Sequence, residues 1–176
     1  CYAGVMAHGQ VNRGLRMSDR IKVALEWLDN ILKSEQITYQ IVGGLAATIH
    51  GGNREVADID LYINKADAAK ILAQVNPYIS KPLTHYVEGS WDLEYFQLIY
   101  KSQKIEIGLF PGSKIRSSEN GLWHELKTDF TSSVIKNYLG IEVPVIPIEQ
   151  LISYKRLLGR EVDNIDVQEL LQVSAP

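Results

Sequence analysis

Apolar positions recur along this chain at two spacings, and the alternation between them lays out the expected elements. From Ser18, the expected N-cap, to about Ser34, Ile21, Leu25, Leu28 and Leu32 return every three or four residues, the period of an amphipathic helix. After Gln36 the period falls to two. Tyr39–Val42 reads as a strand, Leu45–His50 as a short helix broken at Gly51 and Gly52, and the segment 58–63 as a second strand. A helix is expected over Lys65–Val75, with Asn64 as cap and Pro77 as its end. Tyr95–Tyr100 and Lys104–Leu109 read as a hairpin turning at Ser102-Gln103.

The remaining text is less regular. Lys81–Trp91 reads as a turn-rich loop, Ser113–Asn120 as polar loop, and Gly121–Tyr138 as strand or irregular structure. Ile141–Ile146 is β-branched and apolar, and Pro144 predicts a strand at an edge or leaving the sheet. Pro147 opens a helix through Leu158 that Gly159 stops, and a final helix follows. Together these predict an α/β (α+β) fold: a mixed sheet with helices packed mainly on one face and helices at the C-terminal end.

The alternation also decides where charge goes. In the 58–63 strand Ile59, Leu61 and Ile63 share one face while Asp58 and Asp60 share the other, roughly 6 to 7 Å apart along the backbone. Such a pair suits a hard divalent cation, which takes oxygen ligands. In the Lys104–Leu109 strand Glu106 and Gly108 face away from Ile105, Ile107 and Leu109. If the two strands are neighbours, Glu106 joins the aspartates as a third carboxylate, and Gly108 leaves room beside them. Gly43 and Gly44, at the turn into the short helix, would admit a phosphate close to the backbone. The plainer alternatives are an Asp-x-Asp that blunts an edge strand and a solvated Glu106 beside Lys104.

Gly43-Gly44, thirteen intervening residues, then Asp58-x-Asp60 between apolar residues resembles the signature of the nucleotidyltransferase superfamily, the DNA polymerase β-like fold. Within it the chain is similar to small bacterial members that include antibiotic (lincosamide and aminoglycoside) adenylyltransferases and AbiEii-type toxins. The resemblance implies that an acidic residue on a later strand completes the triad, commonly Asp, with Glu106 standing there. It matches Arg54 to an arginine that contacts phosphate, although Val56 replaces the threonine that follows in many relatives. The closing pattern of proline, helix, lysine, arginine and aspartate falls on Lys155, Arg160, Asp163 and Asp166. Lys155 would then reach a triphosphate, or else join a surface ion-pair cluster between two helices.

The implied chemistry is transfer of a nucleoside monophosphate from an NTP to a hydroxyl acceptor, with two Mg²⁺ ions held by Asp58, Asp60 and Glu106. The alternatives are toxin-type transfer to RNA or protein and a non-catalytic nucleotide-binding or interaction module of the same fold. Composition narrows the acceptor. With 18 basic and 21 acidic residues the net charge is −3, which favours a small molecule over nucleic acid and points to no membrane partner. Tyr86, Glu88 and Trp91, in the loop before the hairpin, would stack on a base or on a cationic acceptor, or form a packed corner. Trp27 and His50 are expected to be structural. Cys1 is the single cysteine, and no apolar run is long enough to span a bilayer, so a cytoplasmic protein is expected. Met17-Ser18, where helical periodicity begins, divides a tag or disordered extension over 1–16 from one domain over 17–176.

Overall fold

The computed structural model describes residues 16–176, so the extension expected over 1–16 lies, but for Arg16, outside the described residues. Helix α1 (Met17–Ser34) buries Ile21, Ala24, Leu25, Leu28 and Leu32, the stripe read from the sequence. Ser18 falls inside its first turn, and Arg16 takes the cap position without a side-chain bond to the helix. On the same helix Trp27 stacks flat on Tyr100, with ring centres 4.0 Å apart and planes 3° from parallel, and meets Tyr78 edge-on at 5.0 Å. It is a packing residue, as expected.

Among the described residues, nine strands form one mixed sheet at the centre. Strand β1 (Tyr39–Val42) runs antiparallel to β2 (Ile59–Asn64), and β2 runs parallel to β5 (Gln103–Phe110). Beyond β5, β4 (Trp91–Tyr100) carries β3 (Ile79–Glu88), and β6 (Lys114–Arg116) joins the start of β4 and bears β7 (Trp123–Glu125). On the other side β1 meets β9 (Ile141–Val145), which pairs with β8 (Val134–Tyr138). Ile59, Leu61 and Ile63 of β2 and Ile105, Ile107 and Leu109 of β5 are buried. Helix α1 packs on β5, and α3 (Ala68–Val75) packs on α1.

Three expectations change. The segment 81–91, expected as loop, is most of β3 and its turn into β4. Register shifts between Ile79 and Thr84, around Pro82, break the alternation that would have marked it. The polar stretch after Ser113 holds β6, whose Ile115 is buried between two exposed neighbours. Pro144 does not mark an edge, because β9 lies between β1 and β8. Only the pair Ile41–Val145 joins β9 to β1, so a missing N–H at Pro144 interrupts little on that side.

The hairpin between β4 and β5 turns at Lys101 and Ser102, whose φ values of 45° and 66° match the right-handed twist of the strands they connect. Helix α2 (Gly43–Ile49) follows β1 directly. A single 3₁₀ turn at Lys65–Asp67, capped by the Asn64 carboxamide accepting the Ala66 N–H at 2.9 Å, leads into α3. Helix α4 (Ile148–Leu158) begins after Pro147 and ends at Gly159, whose φ of 60° gives the left-handed cap. It packs on α5 (Glu161–Ser174), and both rest on α2. No helix among the described residues is long and apolar enough to cross a membrane.

Candidate active site

Parallel pairing of β2 with β5 sets Asp60 directly beside Glu106, with Asp58 just ahead of the strand. All three lie on the face opposite the isoleucines, so the pleat that buries one row of side chains turns the other toward the cleft. The same row continues with Tyr62 beside Gly108. A Cβ on Gly108 would come within 2.5 Å of the Tyr62 ring, so the space expected beside the acids is filled by that ring.

Gly43 occupies the left-handed region at φ 68°, and a Cβ there would lie 2.5 Å from Asp60 Oδ2. Its glycine therefore serves the carboxylate directly. The Gly43 N–H is already engaged, donating to the Tyr154 hydroxyl at 2.6 Å. Gly44 lies beneath Arg54, whose Nη2 would be 2.7 Å from an added Cβ. The glycine pair thus admits an aspartate and an arginine to the backbone.

Electrostatics mark the acids as short of positive charge. Burial, then the charges of Glu106 and Asp58, push Asp60 from 3.8 up to about 7, with Lys104 opposing and the Asp60–Glu106 carboxyl contact adding to the rise. The Lys104 Nζ lies 2.9 Å from Asp58 Oδ2 and 3.7 Å from Glu106 Oε1. Glu106 Oε1 also accepts from Gln97 Nε2 at 3.1 Å. The Lys104 ammonium is held charged, chiefly by its bond to Asp58. Burial, followed by the Asp60 charge, keeps the Tyr62 and Tyr154 phenols protonated.

Among the described residues no three His, Cys, Asp or Glu side chains close on one point as metal ligands; Asp58 and Glu106 contact the Lys104 ammonium. The donor set nevertheless fits a hard divalent cation. Three carboxylates share one face, one ammonium offsets only part of their charge, and Asp60 is pushed up by burial first and by the charges of Glu106 and Asp58 after it.

Arg54, Lys155, Asp163, Asp166 and Arg160 form one ion-pair wall between the α2–β2 loop, α4 and α5. Arg54 grips Asp166 with both Nε and Nη2, at 2.7 and 2.9 Å. Lys155, only 2% exposed, lies 2.8 Å from Asp166 and 3.3 Å from Asp163. Of the two readings open for Lys155, a reach to a triphosphate or a surface ion-pair cluster, it makes the ion pairs, but buried rather than at the surface. Arg160 clasps Asp163 at 2.7 Å with a side chain 55% exposed. Glu169 adds a third carboxylate beside Arg54, accepting from the Asn53 and Arg54 backbone N–H groups at 2.8 and 3.4 Å, so the cations and acids of the wall balance.

These groups border one cleft of about 480 Å³, lined also by Tyr86, Glu88 and Trp91 from the β3–β4 hairpin. Tyr86 lies against Tyr95, ring centres 4.6 Å apart, and Lys81 donates to the Tyr95 hydroxyl at 3.2 Å. The acids and the aromatics, far apart in sequence, therefore share a cavity. His50 bonds the Ile146 carbonyl at 2.7 Å, and burial lowers its pKa, so it ties the end of α2 to the residue just after β9. Sequence reasoning set Lys104 beside Glu106 but missed its contact with Asp58, and it missed Gln97 and Tyr154 altogether. Lys104 carried a usable signal, two residues before Glu106 on the same strand face; Tyr154 carried none, as only the packing of α4 brings it to Gly43.

No protein-family model matches the sequence, and no curated protein matches it. Solved structures do. The chain superposes on a candidate nucleotidyltransferase of Thermotoga maritima with a TM-score of 0.64 and 22% identity, over 86% of this chain and 94% of that one. It superposes on a lincomycin-bound lincosamide antibiotic adenylyltransferase with a TM-score of 0.59 and 15% identity, covering 87% and 98%. Against ANT(2″)-Ia in complex with adenylyl-2″-tobramycin the TM-score is 0.59 and the identity 12%, covering 87% and 88%. The fold is thus the nucleotidyltransferase fold, and its cleft holds the three acids that the sequence set apart.

Proposed function

We propose that the protein is a divalent-metal-dependent nucleotidyltransferase that moves a nucleoside monophosphate from an NTP to a hydroxyl of a small molecule. The observation that carries the reading is the registered pair Asp60–Glu106, with Asp58 one pleat away, at the floor of a cleft in this fold. Asp58, Asp60 and Glu106 would hold two Mg²⁺ ions. When bound, these offset the charge on the phosphates and raise the acidity of the acceptor hydroxyl.

The chain's own residues do the rest. The acceptor oxygen would form a bond to the α-phosphorus as the bond from that phosphorus to pyrophosphate breaks, and Glu106, which accepts from Gln97, would hold one metal ion or take the hydroxyl proton. Arg54 and Arg160 line the cleft with guanidinium charge for the triphosphate, each oriented by a carboxylate behind it. Lys155 contributes through the wall it anchors. Gly43 and Gly44 let Asp60 and Arg54 stand close to the backbone.

Tyr86, Trp91 and Glu88 support a small acceptor that presents a flat or cationic group, such as a polyhydroxy or amino-sugar compound. The lincosamide and aminoglycoside ligands of the structural neighbours are compounds of related kind. An NTP donor and a single cysteine suit the cytoplasm. The test is incubation with each α-labelled NTP and Mg²⁺ against hydroxyl-bearing small molecules, RNA and protein. Labelled small-molecule product that disappears in Asp60→Asn supports the reading. Label on RNA or protein replaces it with toxin-type transfer, and NTP binding without any product replaces it with a non-catalytic module.

A further inference from the structure

Lys104 stands on β5 two residues before Glu106 and therefore on the same strand face. The register that sets Ile59 beside Ile105 and Asp60 beside Glu106 carries Asp58 to the side of Lys104. Four charged side chains make a two-by-two block, Asp58 and Asp60 on one strand, Lys104 and Glu106 on the other. The ammonium contacts the two outer members of the acidic triad, Asp58 at 2.9 Å and Glu106 at 3.7 Å. No three acids close on a single point among the described residues while it is there.

We infer that Lys104 is a tethered counter-ion: it holds Asp58 and Glu106 while no divalent cation is bound, competes with the cation for both carboxylates, and is displaced into the cleft when the cation enters. A lysine suits the task. Its charge is compact, its four-carbon stem turns freely, and its three donors need no fixed plane, whereas a guanidinium fork would lock onto one carboxylate. The side chain is 40% exposed and lines the cleft, so it has room to leave without disturbing the core. The wall of Arg54 and Arg160 across the cleft offers it no carboxylate that is not already clasped by a cation. The ammonium therefore raises the divalent concentration at which the triad fills, while keeping three like charges from repelling one another when it is empty.

The inference rests on the metal-binding reading above, and direct metal titration separates the two. Mn²⁺ binding, followed by electron paramagnetic resonance and calorimetry with neither nucleotide nor acceptor present, is compared for the wild type, Lys104→Met, Lys104→Arg and Asp60→Asn. Lys104→Met is expected to bind Mn²⁺ about tenfold more tightly, a factor equal to about 1.4 kcal/mol. Lys104→Arg, which keeps a charge, should stay nearer the wild type. In melting curves Lys104→Met should lose thermal stability in EDTA and regain it with Mg²⁺, the regain being larger than in the wild type. Should Lys104→Met fail to fold, Lys104→Gln carries the same comparison. Mn²⁺ bound by the wild type with unchanged or weaker binding in the uncharged variant overturns the counter-ion role alone. Absence of Mn²⁺ binding in every protein overturns both that role and the metal-dependent function.

Discussion

Replacing Asp60 by Asn should make the metal-free protein more stable, increasingly so as pH rises from about 4. Folding raises the Asp60 carboxyl from an ordinary 3.8 to about 7, through burial and the charges of Glu106 and Asp58. The folded state therefore binds a proton more tightly than the unfolded state does. Stability from this group is fully present below about pH 4 and is lost as pH climbs toward about 7. A gap of about 3 pH units at about 1.4 kcal/mol each sets a ceiling of about 4 kcal/mol. Asp60 is half-buried and lines the cleft, so solvent screening leaves about 1 to 2 kcal/mol. An asparagine keeps the shape without the charge. For a chain of this size the gain corresponds to a melting temperature about 2 to 8 °C higher.

The assay is a pair of thermal melts in EDTA, at pH 5 and pH 8. Asp60→Asn should exceed the wild type by less than half as much at pH 5 as at pH 8, and Mg²⁺ should narrow the gap at pH 8 by stabilising the wild type alone. A variant that melts lower than the wild type at pH 8, or by the same offset at both pH values, would refute the argument and make Asp60 a structural residue.

Lys155→Met should destabilise the fold by about 3 to 5 kcal/mol, because Asp163 and Asp166 would keep their burial and lose a cation, read by urea denaturation. Gly43→Ala should cost about 1 to 2 kcal/mol for its left-handed backbone and, by driving Asp60 from its place, abolish transfer, read from melting and product formation together. Trp91→Ala should raise the acceptor KM about fivefold, equal to about 1 kcal/mol, and leave the NTP KM unchanged. An unaltered acceptor KM, with tight and steeply salt-dependent RNA binding, would instead favour an RNA acceptor.

Local pattern alone determined a good part of this protein. The period-three-and-four stripe of α1, the Pro147-to-Gly159 limits of α4, and the alternation placing Asp58, Asp60 and Glu106 opposite rows of isoleucine all follow from neighbours in sequence. Side-chain direction in a helix or strand is set by backbone period, and the period is written in the residues. The Gly43–Asp60 spacing was equally legible, and its reason proved to be steric, since the carboxylate needs the room that a missing Cβ leaves.

Tertiary structure decided which distant segments meet. Parallel pairing of β2 with β5 brings Glu106 to Asp60 across the sheet, and strand register depends on the whole buried face rather than on either strand. Sequence left Lys155 between a triphosphate contact and a surface ion pair, and burial made it an anchor, because whether a charged helix face looks inward depends on which helix covers it. The β3 strand was hidden by its register shifts, and β6 by its brevity. Lys104 was visible as a neighbour of Glu106, yet its grip on Asp58 exists only because a second strand lies alongside, and that pairing is what sets the charge at the centre of the cleft.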